Sequence, residues 1–83
     1  MGYKILPTKE FSADFNKLRD KRTQDAIKKK IEKVAEDPTR YKRLHYDLKG
    51  SFRIRIGSFR IVYSVIEEKK EMWLEKIIFD HRY

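Results

Sequence analysis

Apolar residues recur along this chain with two different periods, and the change from one to the other divides it. Tyr3 to Leu6 is a short, mostly apolar run ended by Pro7, which predicts a first strand. Thr8 has the side chain of a helix N-cap, and Glu10 falls in the first turn, where a carboxylate suits the positive end of the helix. Phe11, Phe15 and Leu18 follow at i, i+4 and i+7, so the spacing predicts a helix running to about Arg19. Asp20 to Arg22 is a polar break. Ile27, Ile31, Val34 and Ala35 mark one face of a second helix, ended by Asp37-Pro38 because the residue before a proline disfavours the helical conformation. The short connection predicts an antiparallel helical hairpin.

After Gly50 the period becomes two. Strands are predicted over 51–56, 59–67 and 71–79, with Glu67 to Lys70 as the polar link between the last two. Thr39 to Gly50 reads as a basic loop with room for a short strand near Leu44 to Leu48. The order β-α-α-β-β-β predicts an α+β domain spanning 1–83, its helical hairpin packed on one face of a mainly antiparallel twisted sheet. Gly57-Ser58 is a two-residue hairpin signal. If those residues form the loop, Ile56 faces Phe59 and Arg55 faces Arg60, with Arg53 one pleat further along the same face. Phe52, Ile54, Ile56, Phe59, Ile61, Tyr63 and Val65 then share the side that the helices cover. Arg53, Arg55, Arg60, Val62 and Ser64 share the other. Like charges placed directly opposite cost a few tenths to about 1 kcal/mol. That face is either an ordinary solvated surface or a site where a polyanion turns the repulsion into binding.

Composition narrows the choice. Eighty-three residues suffice for one core, and 40% hydrophobic with 13% aromatic residues is enough to build it. There is no cysteine, so disulfides and thiolate metal sites are excluded. No stretch approaches the ~20 apolar residues of a membrane helix, and Met1 to Lys4 does not begin a signal peptide. The expectation is a cytoplasmic protein. The net charge is +8, and residues 38–61 carry seven basic side chains against Asp47 alone. Charge focused in this way favours an anionic partner: nucleic acid, an acidic protein or an anionic membrane surface.

The segments Leu48-Lys49-Gly50, Phe52-Arg53-Ile54-Arg55-Ile56 and Phe59-Arg60-Ile61-Val62-Tyr63-Ser64-Val65 resemble the RelE toxins of the RelE/ParE superfamily. The ending Ile78-Phe79-Asp80-His81-Arg82-Tyr83 is similar to that family's terminal strand, and the predicted element order covers nearly the whole chain. The resemblance implies the toxin of a type II toxin–antitoxin system, an endoribonuclease that cuts messenger RNA in the ribosomal decoding site and needs no cofactor. It also implies a RelB-like antitoxin that covers or distorts the active face. Arg60 matches the family's phosphate-contacting arginine. Arg53 and Arg55 match two basic positions that are often lysines in RelE. Arg82 matches a basic or histidine position near the end of the last strand, and Tyr83 stands for the family's C-terminal tyrosine.

Metal-free RNA cleavage must take a proton from the ribose 2′-hydroxyl, stabilise the phosphorane's added charge and protonate the departing 5′-oxygen. Arginine suits the second task, because its planar fork binds two phosphate oxygens and stays charged. It does not suit the first, with a pKa above about 12. Histidine as a residue type changes charge near neutrality, which makes His81 the best candidate by type for proton transfer. Alternation puts it on the opposite side of the strand from Arg82, so only one of the two faces the cluster unless the strand bulges or ends. Tyr83 can offer a hydroxyl or the terminal carboxylate. Lys42, Arg43 and Lys49 are candidates for RNA backbone contact, although a solvated loop explains them equally well. Lys28-Lys29-Lys30 reads as a solvated helix face, His45 as a surface residue, Tyr63 as core and Trp73 as packing, with base stacking as its other use. No Asp/Glu/His cluster has metal-ligand spacing, and no Gly-rich phosphate loop is present. Two other functions stay open: a ParE-like inhibitor of DNA gyrase, and a nucleic-acid-binding homologue without catalysis. The antitoxin partner is expected to be acidic, and the isolated toxin a monomer.

Overall fold

In the computed structural model, which describes residues 2–40 and 51–79, the chain runs β1 (Lys4–Pro7), α1 (Lys9–Asn16), α2 (Lys21–Val34), a 3-10 turn (Pro38–Arg40), β2 (Ser51–Ile56), β3 (Phe59–Ile66) and β4 (Glu71–Phe79). The four strands form one mixed sheet in the spatial order β1-β4-β3-β2. β1 lies parallel to β4, and the other two pairings are antiparallel. The expected β-α-α-β-β-β architecture is therefore present, with both helices on one side of the sheet. The possible strand near Leu44 to Leu48 lies outside the described residues.

Two helix boundaries differ from expectation. α1 stops at Asn16 rather than near Arg19, because Lys17 and Leu18 turn back with short-range bonds to Asp14 and Phe15. Gln24 of α2 then donates its side-chain amide to the Leu18 carbonyl at 2.8 Å. The polar break is consequently 17–20, and Asp20 caps α2 by accepting from the Arg22 N–H at 3.0 Å and the Thr23 hydroxyl at 2.9 Å. At the other end α2 stops at Val34, before the proline is reached. The Ala35 carbonyl is engaged by the Tyr3 N–H at 2.8 Å, which fastens the helix end to the start of β1.

The helices and the sheet close over a core of Phe11, Leu18, Ile27, Ile31, Val34 and Ala35 from the helical layer, with Phe52, Ile54, Ile61, Tyr63, Met72, Leu74 and Ile77 from the strands. Cross-strand aromatic pairs stiffen this floor. Phe52 and Tyr63 are register partners with stacked rings 5.3 Å apart, and Phe59 and Phe79 are partners packed edge to face at 5.2 Å. Such pairs add about 0.5–1.5 kcal/mol beyond burial. Tyr63 is fully buried, as expected, and donates its hydroxyl to the Pro38 carbonyl at 2.7 Å.

β1 spans only four residues, so among the described residues no strand lies beside that edge of β4 beyond Leu74. Two side chains of α1 and its cap take over. Thr8 Oγ1 donates to the carbonyls of Leu74 (2.8 Å) and Glu75 (3.0 Å) while accepting from the Phe11 N–H at 3.2 Å. Asp14 accepts from the Ile77 N–H at 3.0 Å. One threonine thus caps a helix and closes a sheet edge.

Candidate functional site

β2 and β3 place three arginines on the sheet face that the helices leave uncovered. The turn between them is Gly57-Ser58, with Gly57 at φ +57°. No positive φ occurs at Ser58, which is the type II′ pattern suited to the strand twist. The register follows: Ile56 opposite Phe59, Arg55 opposite Arg60, Arg53 opposite Val62. In a two-residue hairpin the closing pair exchanges the hydrogen bonds. The next pair, Arg55 with Arg60, is then the closer-spaced kind, with Cα atoms about 4.5 Å apart. Arg55 is exposed, and Arg53 and Arg60 are half-buried. The register thus places all three arginines on one face of the hairpin, as expected.

β4 adds residues that period-two reading does not find. Val62 pairs with Lys76 but Tyr63 pairs with Leu74, so Glu75 is an extra residue in a β-bulge. Below the bulge Met72 and Leu74 point to the core; above it Ile77 and Phe79 do. The apolar spacing 72, 74, 77, 79 carries that signal, since strict alternation would break at 77. As a result Glu75 and Lys76 both reach the arginine side. Glu75 accepts from the Ser64 hydroxyl at 2.7 Å. Lys76 lies across Val62 from Arg53, so the second row of the face, counted from the turn, reads Arg53, Val62, Lys76. Val62 is only 4% exposed yet stands apart from the core cluster, a flat apolar floor between two cations.

Trp73 is the other departure. It pairs with Ser64 on one side and Leu6 on the other, which puts it on the arginine face, not beneath the helices. Its indole N–H donates to Glu71 Oε1 at 3.1 Å. Trp73 is half-buried there and lies outside the core cluster beneath the helices. Tryptophan suits a strand on either face, and its side is set by a register that is not visible locally.

The other predicted site residues, Lys42, Arg43, Lys49, His81, Arg82 and Tyr83, lie outside the described residues, as does His45. Lys28 lies on the helical side, with its ammonium 5.8 Å from the centre of the Phe15 ring. The same side carries a cleft of roughly 360 Å³ lined mainly by apolar side chains such as Ile5, Phe11, Phe15 and Leu74. Arg53, Arg55 and Arg60 do not border it. Among the described residues no three acidic or histidine side chains are grouped to hold a metal ion, and no helix is long and apolar enough to cross a membrane.

Comparison with known proteins agrees with this geometry. Residues 5–78 match a family model described as the ParE toxin of the type II toxin–antitoxin system parDE. A Methanocaldococcus jannaschii protein named "Putative toxin RelE4" is 33% identical over 78 residues, covering 93% of this chain and 81% of that one. The isolated E. coli RelE toxin superposes with a TM-score of 0.84 at 24% identity, covering 98% of this chain and 87% of that chain. The RelE of the Pyrococcus horikoshii RelE–RelB complex superposes with a TM-score of 0.81 at 19% identity, covering 100% of both chains. The two solved structures speak for the fold.

Proposed function

Because this chain belongs to the RelE/ParE superfamily of type II toxin–antitoxin toxins, as a RelE-type member, we propose that it is a metal-independent, ribosome-dependent endoribonuclease that cuts messenger RNA and halts translation. The observation that carries this reading is the convergence of Arg53, Arg55 and Arg60 on an uncovered sheet face. In the reaction the ribose 2′-oxygen loses its proton and attacks the adjacent phosphorus. The P–O5′ bond breaks, leaving a 2′,3′-cyclic phosphate, and the 5′-oxygen takes up a proton.

Arg60 holds the non-bridging phosphate oxygens as their charge grows, and Arg53 and Arg55 assist. Donors aimed at developing charge are worth a few kcal/mol each. Arginine at 53 and 55 cannot serve as base. Proton transfer therefore falls by residue type to His81, with Tyr83 as the second group and Arg82 as a further cation. Lys42, Arg43 and Lys49 contact ribosomal or messenger RNA backbone. Alignment on the ribosome contributes the rest, since holding reactants in geometry removes a large entropic part of a barrier.

The relatives solved as RelE–RelB and RelBE complexes carry an antitoxin. Here the matching partner is an acidic RelB-like antitoxin whose carboxylates screen the arginine face in the cytoplasm. A gyrase inhibitor has no use for such a face, which sets that alternative aside. Primer extension on ribosomes programmed with a defined message tests the reading. New RNA ends should appear with the wild type and vanish with Arg60→Ala while the fold survives; no ribosome-dependent ends from the pure wild type would end it.

A further inference from the structure

The uncovered sheet face is divided. Its hairpin half carries Arg55, Arg60, Arg53 and Lys76; its other half carries Trp73, Leu6, Ser64, Glu71 and Glu75. Building on the nuclease reading, we propose that Trp73 is a stacking platform for one nucleobase of the bound RNA, a few nucleotides from the phosphate held at Arg60.

Four features lead there. First, the spacing suits a strand of RNA. Arg60 and Ser64 are four residues apart on β3, about 13 Å at ~3.3 Å per residue, and Trp73 is the register partner of Ser64. Second, a path joins the two ends. Between them Arg53 and Lys76 flank Val62 in register, Val62 itself lying buried beneath its neighbours, so a backbone following this line meets a cation on each side. Third, the indole is pre-set. Its N–H is engaged by Glu71, which fixes the ring orientation before a ligand arrives. Stacking on a ring already in place avoids the entropic cost of ordering it.

Fourth, the charge changes sign around the ring. Glu71 and Glu75 carry the carboxylates nearest Trp73 in the register, and carboxylates repel phosphate. A base belongs there rather than the backbone. Each carboxylate already accepts one hydrogen bond within the protein and retains capacity to accept more. Bases with an exocyclic amino donor are the ones this end selects, the purines adenine and guanine most for their large π face; uracil has no such donor.

Trp73 is the sole tryptophan of the chain, so its emission reports on this site alone. The probes are 2′-O-methyl hexamers of adenosine and of uridine, which cannot be cut through the 2′-oxygen. They are titrated at low salt, with end-label anisotropy read in parallel for affinity. The adenosine hexamer should quench Trp73 emission and bind more tightly than the uridine hexamer. Trp73→Leu, which keeps apolar bulk without a π face, should bind about tenfold more weakly, the order of loss that removing a base–aromatic stack brings. Trp73→Phe should retain most of the affinity, which also controls for a folding defect in the leucine variant. Arg60→Ala should weaken binding yet leave the quenching at saturation. Binding without any change in emission, equal affinities for Trp73→Leu and wild type, or no binding at low salt would each overturn the inference. Quenching without ribosome-dependent cleavage would keep this site and remove only the nuclease.

Discussion

Arg60 has a neighbour of its own sign directly across the hairpin, and the two share a face that the core does not use. Removing it should therefore injure chemistry far more than folding. Arg60→Ala is expected to lower ribosome-dependent cleavage by roughly 10²–10³, the usual loss for a donor to developing charge. Its circular dichroism and urea midpoint should stay close to wild type. Arg60→Lys should recover only part of the activity, because a point charge lacks the two-pronged geometry. Tyr63 makes the opposite case. Its buried hydroxyl serves the Pro38 carbonyl, so Tyr63→Phe is expected to cost about 1–2 kcal/mol in urea denaturation while RNA affinity is unaffected. At this scale much was legible before the fold was known. The two-residue turn set the pairing of Arg55 with Arg60, and alternation set their side. Trp73 was not legible, since which face it takes depends on a bulge elsewhere on its own strand and on its pairing with Ser64.

Among the elements, the junction of α1 with β4 carries the most specific expectation. Thr8 caps a helix and satisfies two strand carbonyls at once, whereas Asp20 caps α2 on an exposed surface. Thr8→Val should cost about 2 kcal/mol, the top of the range for a lost cap, and Asp20→Ala about 1 kcal/mol or less. Equal losses in chemical denaturation would show that the strand bonds add nothing. The β2–β3 turn gives a second comparison. A side chain at Gly57 has open space around it, so only the positive φ resists it; Gly57→Ala is expected to lose about 1 kcal/mol through that backbone strain alone. Element existence was readable from periodicity and turn residues. Element ends were not, because they depend on specific bonds that periodicity does not show: Gln24 to the Leu18 carbonyl, and Tyr3 to the Ala35 carbonyl across the length of the helical hairpin's sequence.

For the molecule as a whole, charge is the variable to manipulate. The net charge is +8, and Arg53, Arg55, Arg60 and Lys76 share one sheet face. Affinity for single-stranded RNA should fall with a slope near −0.7 per phosphate neutralised when plotted as log K against log salt. With Arg53, Arg55, Arg60 and Lys76 engaged, a slope of about −2 to −3 is expected. Replacing Lys76 with Met should reduce that slope by roughly 0.7, and an unchanged slope would place Lys76 outside the RNA path. An acidic antitoxin should likewise bind more weakly as salt rises, since exposed charge pairs are screened.

The described core residues draw almost all their cohesion from the layer between helices and sheet, and Val62 alone is buried on the far side. Positions 53, 55, 60, 73 and 76 thereby lie outside the core cluster between helices and sheet. A library randomised at those five sites should yield mostly folded proteins with altered ligands. In such a scaffold, specificity can drift from one generation to the next without the polypeptide first having to relearn its shape.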